Sequence, residues 1–280
     1  MNPSTSLCEL KPEEFHRAAP LFTGMAHHLA IVSVLAGRTP ARIFIDDHSH
    51  PQAALVWAGH RIHLAGNPAR GEFNSGLAHL FAGQTGLYKR PAGPPVALLY
   101  YEPAAWSTPI ETVILRDKQP VRHQSQYYVL RAETPLSGEQ QVMLPAGFRL
   151  LPADAALLAQ THLLHLDDLQ REMCSERPSV EDFLDKSFGV CVLHGSELAG
   201  WCLSEYNTAD HCEIGIETVG MYQRHGLATA MTLALVETGR ARGIRVFGWH
   251  CWSHNTPSAA TALRAGFRQA CDYPAYYLQL

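Results

Sequence analysis

The chain has 280 residues, of which 46% are apolar and 17% charged, with 5 Trp, 10 Tyr and 10 Phe. That is far from the low-hydrophobicity, high-charge signature of disorder, so it is read as globular, with length enough for two domains or one large one. The formal charge is -4, and Lys and Arg form no run beyond pairs such as Lys89-Arg90; this excludes the footprint of a nucleic-acid or anionic-membrane partner.

Residues 1–10 show no basic start leading into an apolar core, and the longest greasy stretch, 29–36, is too short to cross a bilayer. The seven cysteines, Cys8, Cys174, Cys191, Cys202, Cys212, Cys251 and Cys271, are odd in number and contain no CxxC pair, which implies neither a disulfide framework nor a zinc knuckle. Four of them, Cys191, Cys202, Cys212 and Cys251, fall in predicted strands, where free cysteine serves as a small buried hydrophobe. A cytoplasmic location is the expectation.

Pro12, Glu13 and Glu14 read as a first helical turn, and an apolar stretch from His27 stops at Gly37, which can take the left-handed position past a helix end. Residues 41–47, 53–57 and 62–65 read as strands, the first two joined by a turn over 48–52. Asn74 and Gly83 bracket a short helix. The Gly- and Pro-rich residues 84–95 punctuate the chain before strands at 96–101 and near 126–131. Residues 132–145 have linker chemistry, and the boundary is placed near Gly138, giving an accessory α+β domain over 1–137 and a second domain over 138–280.

In the second domain, 148–151 reads as a short strand. Pro152 and Asp154 open a long helix whose Leu157, Leu158, Leu164 and Leu166 lie near one face, and Ser179 caps another helix with Asp182 in its first turn. Strands follow at 188–193, 198–206 and 211–218, the first two forming a hairpin through 194–197. A helix from about Leu227, a strand at 245–251, a helix from about Pro257 and a closing strand near 276–280 complete a mixed α/β chain.

The informative stretch runs from Thr218 through Val219, Gly220, Met221, Tyr222, Gln223, Arg224, His225, Gly226, Leu227 and Ala228 to Thr229, between an apolar strand and an apolar helix. Small residues at Gly226 and Ala228 let the backbone approach a ligand, and free N–H groups at a helix N-terminus, aided by the helix dipole, suit a CoA-type pyrophosphate. Alone, a strand-loop-helix with one Gly is equally a tight turn before an amphipathic helix.

Gln223-x-x-Gly226-x-Ala228, followed by Asn255 and the pair Gly266-Phe267, resembles the GNAT superfamily of N-acetyltransferases. The stretches 213–218 and 255–258 look like the subgroup typified by zwittermicin A resistance acetyltransferases, and residues 42–47 look like that subgroup's N-terminal half. The resemblance implies a GNAT fold with a central mixed sheet flanked by helices. It implies acetyl-CoA as co-substrate, with backbone groups of Thr218 and Val219 on the pantetheine arm and Gln223 and Arg224 in the phosphate loop. The amides of His225, Gly226, Leu227, Ala228 and Thr229 would hold the pyrophosphate, and Asn255 the arm. It also implies that the fourth and fifth strands splay, with the acyl carbon between 216–219 and 249–251.

Direct transfer needs a base, because an aliphatic amine is mostly protonated near neutral pH. Glu213 and Glu217, four apart on one strand, point to one face; Glu217 is favoured, with Glu213 holding a water or orienting substrate, while the plainer reading of both is a solvated or ion-paired strand face. Many GNAT members carry a general-acid Tyr where this chain has Ala262, which leaves Tyr273, Tyr276, Tyr277, water or no enzyme group at all for that role. His48/His50, His60/His63, His162/His165 and His250/His254 lack a Cys or acidic partner in a recognised zinc spacing, so no metal is expected. Cys251 reads as packing rather than a nucleophile.

The expected function is acetyl transfer to a primary amine of a small molecule. The alternatives are an acyl-CoA-binding regulatory protein and an enzyme acting on protein or peptide amines. The first domain resembles a degenerate second GNAT copy lacking a phosphate loop, so one cofactor site per chain is expected.

Overall fold

The computed structural model describes residues 7–83, 96–135 and 144–279. Contacts divide the chain into two compact units, residues 1–124 with 273–280, and residues 125–272. The Gly138 boundary and the 84–95 punctuation lie outside the described residues.

The first unit contains β1 (Cys8–Leu10), α1 (Leu29–Leu35), β2 (Arg42–Ile45), β3 (Ala53–Ala58), β4 (Arg61–Gly66), α2 (Gly71–Gly83), β5 (Val96–Glu102) and the single turn α3 (Ser107–Pro109). Asp46 Oδ1 accepts from the amides of Gln52 and Ala53, and Asp47 Oδ1 from those of Ser49 and His50, which builds the turn between β2 and β3. Every residue of β3 is buried, as a strand covered on both faces requires. Phe73, Leu77 and Phe81 of α2 pack with Trp57, Leu64 and Trp106. The helical turns over 104–114 carry no periodicity long enough to be read from sequence.

The second unit runs through β6 (Val121–Arg131, from Ser125), β7 (Phe148–Pro152), α4 (Ala155–Leu158), α5 (Leu166–Met173), α6 (Val180–Lys186), β8 (Gly189–His194), β9 (Glu197–Glu205), β10 (His211–Thr218), α7 (Leu227–Ala241), β11 (Val246–Trp252), α8 (Thr256–Arg264) and the start of β12 (Arg268–Gln279). The last residues of β12 belong to the first unit.

Both units share one strand topology. In the first, β1, β2, β3 and β4 pair successively antiparallel, β4 with β5 parallel, and β5 with β12 antiparallel. In the second, β7, β8, β9 and β10 pair successively antiparallel, β10 with β11 parallel, and β11 with β6 antiparallel. Each six-strand set is thus completed by a strand distant in sequence.

The long helix expected after Pro152 is broken. Asp154 caps α4 by accepting from the Leu157 amide at 3.0 Å. The Leu164 amide then donates to Ser196 O, and Leu164 O accepts from the Leu198 amide, tying the chain to the β8–β9 hairpin. His165 takes φ 66 before α5 begins. These non-local bonds occupy the backbone groups a continuous helix would have used, and Leu164 stays 53% exposed. Ser179 caps α6 as expected, accepting from the Asp182 amide at 3.2 Å.

Helix α7 buries Leu227, Ala230, Met231, Leu235 and Val236 against the sheet. Gly239 sits on its inner face, where a Cβ would lie 2.5 Å from the Phe247 ring. Gly239→Ala gains about 1 kcal/mol of helix propensity and is opposed by overpacking of about 1–3 kcal/mol. Because the Phe247 and Phe188 rings crowd that position, at 2.5 and 3.2 Å, a net loss is expected, read as a lower urea midpoint at unchanged m-value.

Candidate active site

β10 and β11 pair over three residues only, His211↔Val246, Cys212↔Phe247 and Glu213↔Gly248, although β10 continues to Thr218 and β11 to Trp252. Each keeps its outer partner to the end, β10 through Thr218↔Gly200 and β11 through Trp252↔Ser125. A fork therefore opens beyond Glu213 and Gly248. The corresponding first-unit strands, β4 and β5, stay in register over five pairs, from Arg61↔Leu98 to Ala65↔Glu102.

The Val219 amide donates to Ala199 O at 2.9 Å, toward β9. Alternation along the ladder then turns the backbone groups of Thr218 and Ile216 toward the fork. Ile216, at the start of the 216–219 stretch expected beside the acyl carbon, lines the cleft with Thr218, whereas Val219 is not among the lining residues.

The loop after β10 starts as a 3-10 turn, Gly220–Tyr222. Tyr222 is its anchor: buried, its hydroxyl donates to Glu197 Oε2 at 2.6 Å and its ring stands edge-on to Phe148. Gln223 Nε2 donates to Thr218 O at 3.2 Å, closing the loop onto the strand end. Arg224 and Gly226 take left-handed φ values of 65 and 78, a conformation costly at Arg224 and natural at Gly226. Gly226 is the N-cap of α7 and supplies no side-chain cap, so the first-turn amides of Leu227, Ala228 and Thr229 have no intrahelical acceptor and gather the positive end of the helix dipole. The His225 imidazole instead turns back to Tyr222 O and Gln223 O.

A cleft of about 520 Å³ joins this loop to the fork. One wall is Ile216, Thr218 and the residues from Tyr222 to Thr229 other than His225; the other is Trp249, Asn255, Pro257, Ser258, Thr261 and Arg264. Asn255 Oδ1 caps α8 by accepting from the Ser258 amide, and Trp249 Nε1 donates to Ser258 Oγ at 3.0 Å, fastening α8 to β11.

Glu213 and Glu217 share a face, as period-two alternation requires, but their surroundings differ. Glu217 is exposed and Glu213 is 2% exposed. Glu213 Oε1 lies 3.4 Å from His250 Nε2, an ion-pair separation longer than a good hydrogen bond. The Tyr127 ring stacks on His250 with centroids 4.7 Å apart. Glu205 is the cross-strand partner of Glu213, and a Cβ on Gly215 would fall 1.8 Å from its Oε1. A Cβ on Gly248 would meet the Tyr127 ring at 3.1 Å and Glu213 Cγ at 3.4 Å. Two glycines on neighbouring strands thus make the room these polar side chains occupy. Burial, reinforced by the charge of Glu213, pushes the Tyr127 phenol up to about 12.

Tyr273 falls in the first unit, ringed by His27, His28 and Tyr100 at centroid distances of 5.2, 4.7 and 5.9 Å; it is not among the residues lining the cleft. Tyr276, also in the first unit, donates to Glu111, and burial together with that bond holds its phenol well above the usual range. Burial raises the Cys251 thiol, which keeps it protonated. Among the described residues no group of three or more His, Cys, Asp or Glu side chains is placed to hold a metal ion, and no helix is long and apolar enough to cross a membrane.

A family model described as GNAT acetyltransferase matches residues 19–276. The chain is 23% identical to the uncharacterised N-acetyltransferase YdfB of Bacillus subtilis strain 168, over 97% of this chain and 98% of that protein. Among solved structures it resembles a GCN5-related N-acetyltransferase-like protein from Streptococcus suis 89/1591, with TM-score 0.73, 24% identity and coverage of 95% and 98%. It also resembles a tandem GNAT protein from the clavulanic acid biosynthesis pathway, with TM-score 0.62, 12% identity and 97% coverage of each chain.

The Tyr127 environment sets an alkaline signature. The folded phenol lies at about 12, above an unfolded value of about 10, so its stabilising contribution is full below pH 10 and is lost as pH rises through 12. Tyr127→Phe is expected to flatten the fall in stability over that window, by up to about 2 kcal/mol, in urea unfolding measured at stepped pH.

Proposed function

The chain belongs to the GNAT acetyltransferase family, a family of acyltransferases, and from that premise we propose that its second unit moves an acetyl group from acetyl-CoA directly to a primary amine of a small molecule. The observation that carries this reading is the single cleft that unites a strand fork with the amide-rich start of α7.

The residues present fit acetyl-CoA. The amides of Gly226, Leu227, Ala228 and Thr229 suit the pyrophosphate, helped by the dipole of α7, and Arg224 and Arg264 add positive charge at the cleft. The Thr218 hydroxyl is buried without a hydrogen-bond partner, and the backbone groups of Ile216 and Thr218 face the fork; these suit the amide-bearing pantetheine arm. An N–H at this strand end can polarise the thioester carbonyl and steady the developing oxyanion, the kind of electrostatic term that dominates acyl transfer. The exposed Glu217 and the buried Glu213 border the face from which an amine would approach, and carboxylates there favour a cationic acceptor.

The seven free cysteines support a reducing compartment, the cytoplasm. The zwittermicin A resistance resemblance rests on residues 213–218 and 255–258 and suggests an antibiotic-like amine as acceptor. Ala262, at the place of the family's usual Tyr, favours the rival reading of an acyl-CoA-binding regulator, and a protein N-terminus as acceptor is the other rival.

Calorimetric titration of acetyl-CoA into the protein is expected to show one site per chain, because the first-unit ladder has no fork. Gly226→Glu, which sets a carboxylate among the phosphate-facing amides, is expected to weaken binding at least tenfold, about 1.4 kcal/mol. Thiol release on adding ethanolamine, 1,4-diaminobutane or phenethylamine then supports a small-molecule acceptor. Binding without release supports the regulator, and a mass shift on a co-purifying polypeptide supports a protein acceptor. Absence of binding by the parent overturns the reading.

A further inference from the structure

Resting on the acetyl-transfer reading, we infer that His250, held by Glu213 on one side and the Tyr127 ring on the other, is the base that takes the proton from the attacking amine and returns it to the departing thiolate. The geometry separates it from the two carboxylates that sequence alone offers. Glu213 is 2% exposed at the root of the fork, and the group its Oε1 approaches is the His250 imidazole, 3.4 Å away. Glu217 is exposed four residues further along β10.

His250 follows Trp249, which lines the cleft. Strand alternation therefore puts His250 on the opposite side of β11 from Trp249, the side that carries Glu213. An acetyl group entering between the splayed strands would have Trp249 toward the cofactor side and His250 toward the amine side, the two Cα atoms about 3.8 Å apart. Imidazole is the side chain suited to taking and giving back a proton near neutral pH, and an adjacent carboxylate steadies its charged form.

The groups facing this position come from three strands: Glu213 of β10, its cross-strand partner Glu205 of β9, and Tyr127 of β6, the register partner of His250. Tyr127 in turn feels Cys271 and Arg131. Tyr127 is a positioning residue, fixing the ring plane by stacking.

In the step, the acceptor, having given its ammonium proton to solvent, forms the C–N bond with its lone pair and the carbonyl π pair moves to oxygen while the N–H proton passes to His250. The C=O bond re-forms as the C–S bond breaks, and the imidazolium proton goes to the thiolate. Amine and thioester become amide and thiol with no proton left over. One group serves as base and then acid, so Ala262 at the family's Tyr position leaves no gap.

The test uses the whole protein with His250→Ala and Glu213→Gln, following thiol release from acetyl-CoA with water and with the three amines named above. His250→Ala is expected to bind acetyl-CoA as the parent does and to lose about 100-fold or more in kcat, part of which added imidazole restores. Glu213→Gln is expected to lower kcat and leave the KM for acetyl-CoA unchanged. Should His250→Ala fail to fold, His250→Gln, close to it in size, goes through the same comparison. A variant rate within threefold of the parent, or a loss that imidazole does not relieve, overturns the assignment of His250 alone. A parent that binds acetyl-CoA and releases no thiol with any acceptor overturns the transfer reading and this inference with it.

Discussion

β10 and β11 stay hydrogen-bonded for three residues and then part, while each remains bonded to its outer neighbour. An unpaired strand edge inside a sheet would ordinarily be costly, because its amides and carbonyls need partners. Here the edge faces a cleft large enough for a ligand, and the end of β10 feeds straight into the helix start that gathers free amides. Loop, fork and the wall made by α8 are consequences of that early termination. Tyr222 pins the loop from below through Glu197, and Ser258 ties α8 to Trp249, so both walls are braced by contacts outside the cleft.

The other face of the same strands is shaped by what is missing from them. Gly215 and Gly248 carry no Cβ, and Glu205 and Tyr127 lie where those atoms would be. Opposed carboxylates on a ladder repel, so the Glu205–Glu213 pairing is hard to explain as packing and easier as a site that meets positive charge. The His250 imidazole is the group in place beside Glu213.

The two units show how little separates a fork from a closed sheet. They share strand order and directions, yet β4 and β5 keep five pairs where β10 and β11 keep three. Counting from the third pair of each ladder, Gly66 stands where Ile216 stands, and its carbonyl accepts from Trp106 Nε1. His63 and Tyr100, stacked and buried, stand where Glu213 and Gly248 make their polar face. Aromatic filling thus replaces both the open edge and the charged surface.

Much of this was legible in the chain itself. Gly226 and Ala228 between an apolar strand and an apolar helix mark the turn that opens α7, Ser179 with Asp182 marks a helix start, and alternation puts Glu213 and Glu217 on one face. These are local signals, carried by backbone conformation and period. The break between α4 and α5 was not legible, because bonds from Leu164 to the hairpin compete with helix bonds, and sequence periodicity does not register a partner thirty residues away. Nor were the roles of Glu205, Tyr127 and His250, or the placing of Tyr273 among first-unit rings. Those depend on strand register and on which distant strand completes each six-strand set. Sequence by itself determined most of the strands, the turn that opens α7 and the family resemblance; only the tertiary structure decided where the ladder stops and which side chains converge on Glu213, because cross-strand contacts are set by pairing between segments that the linear order keeps apart.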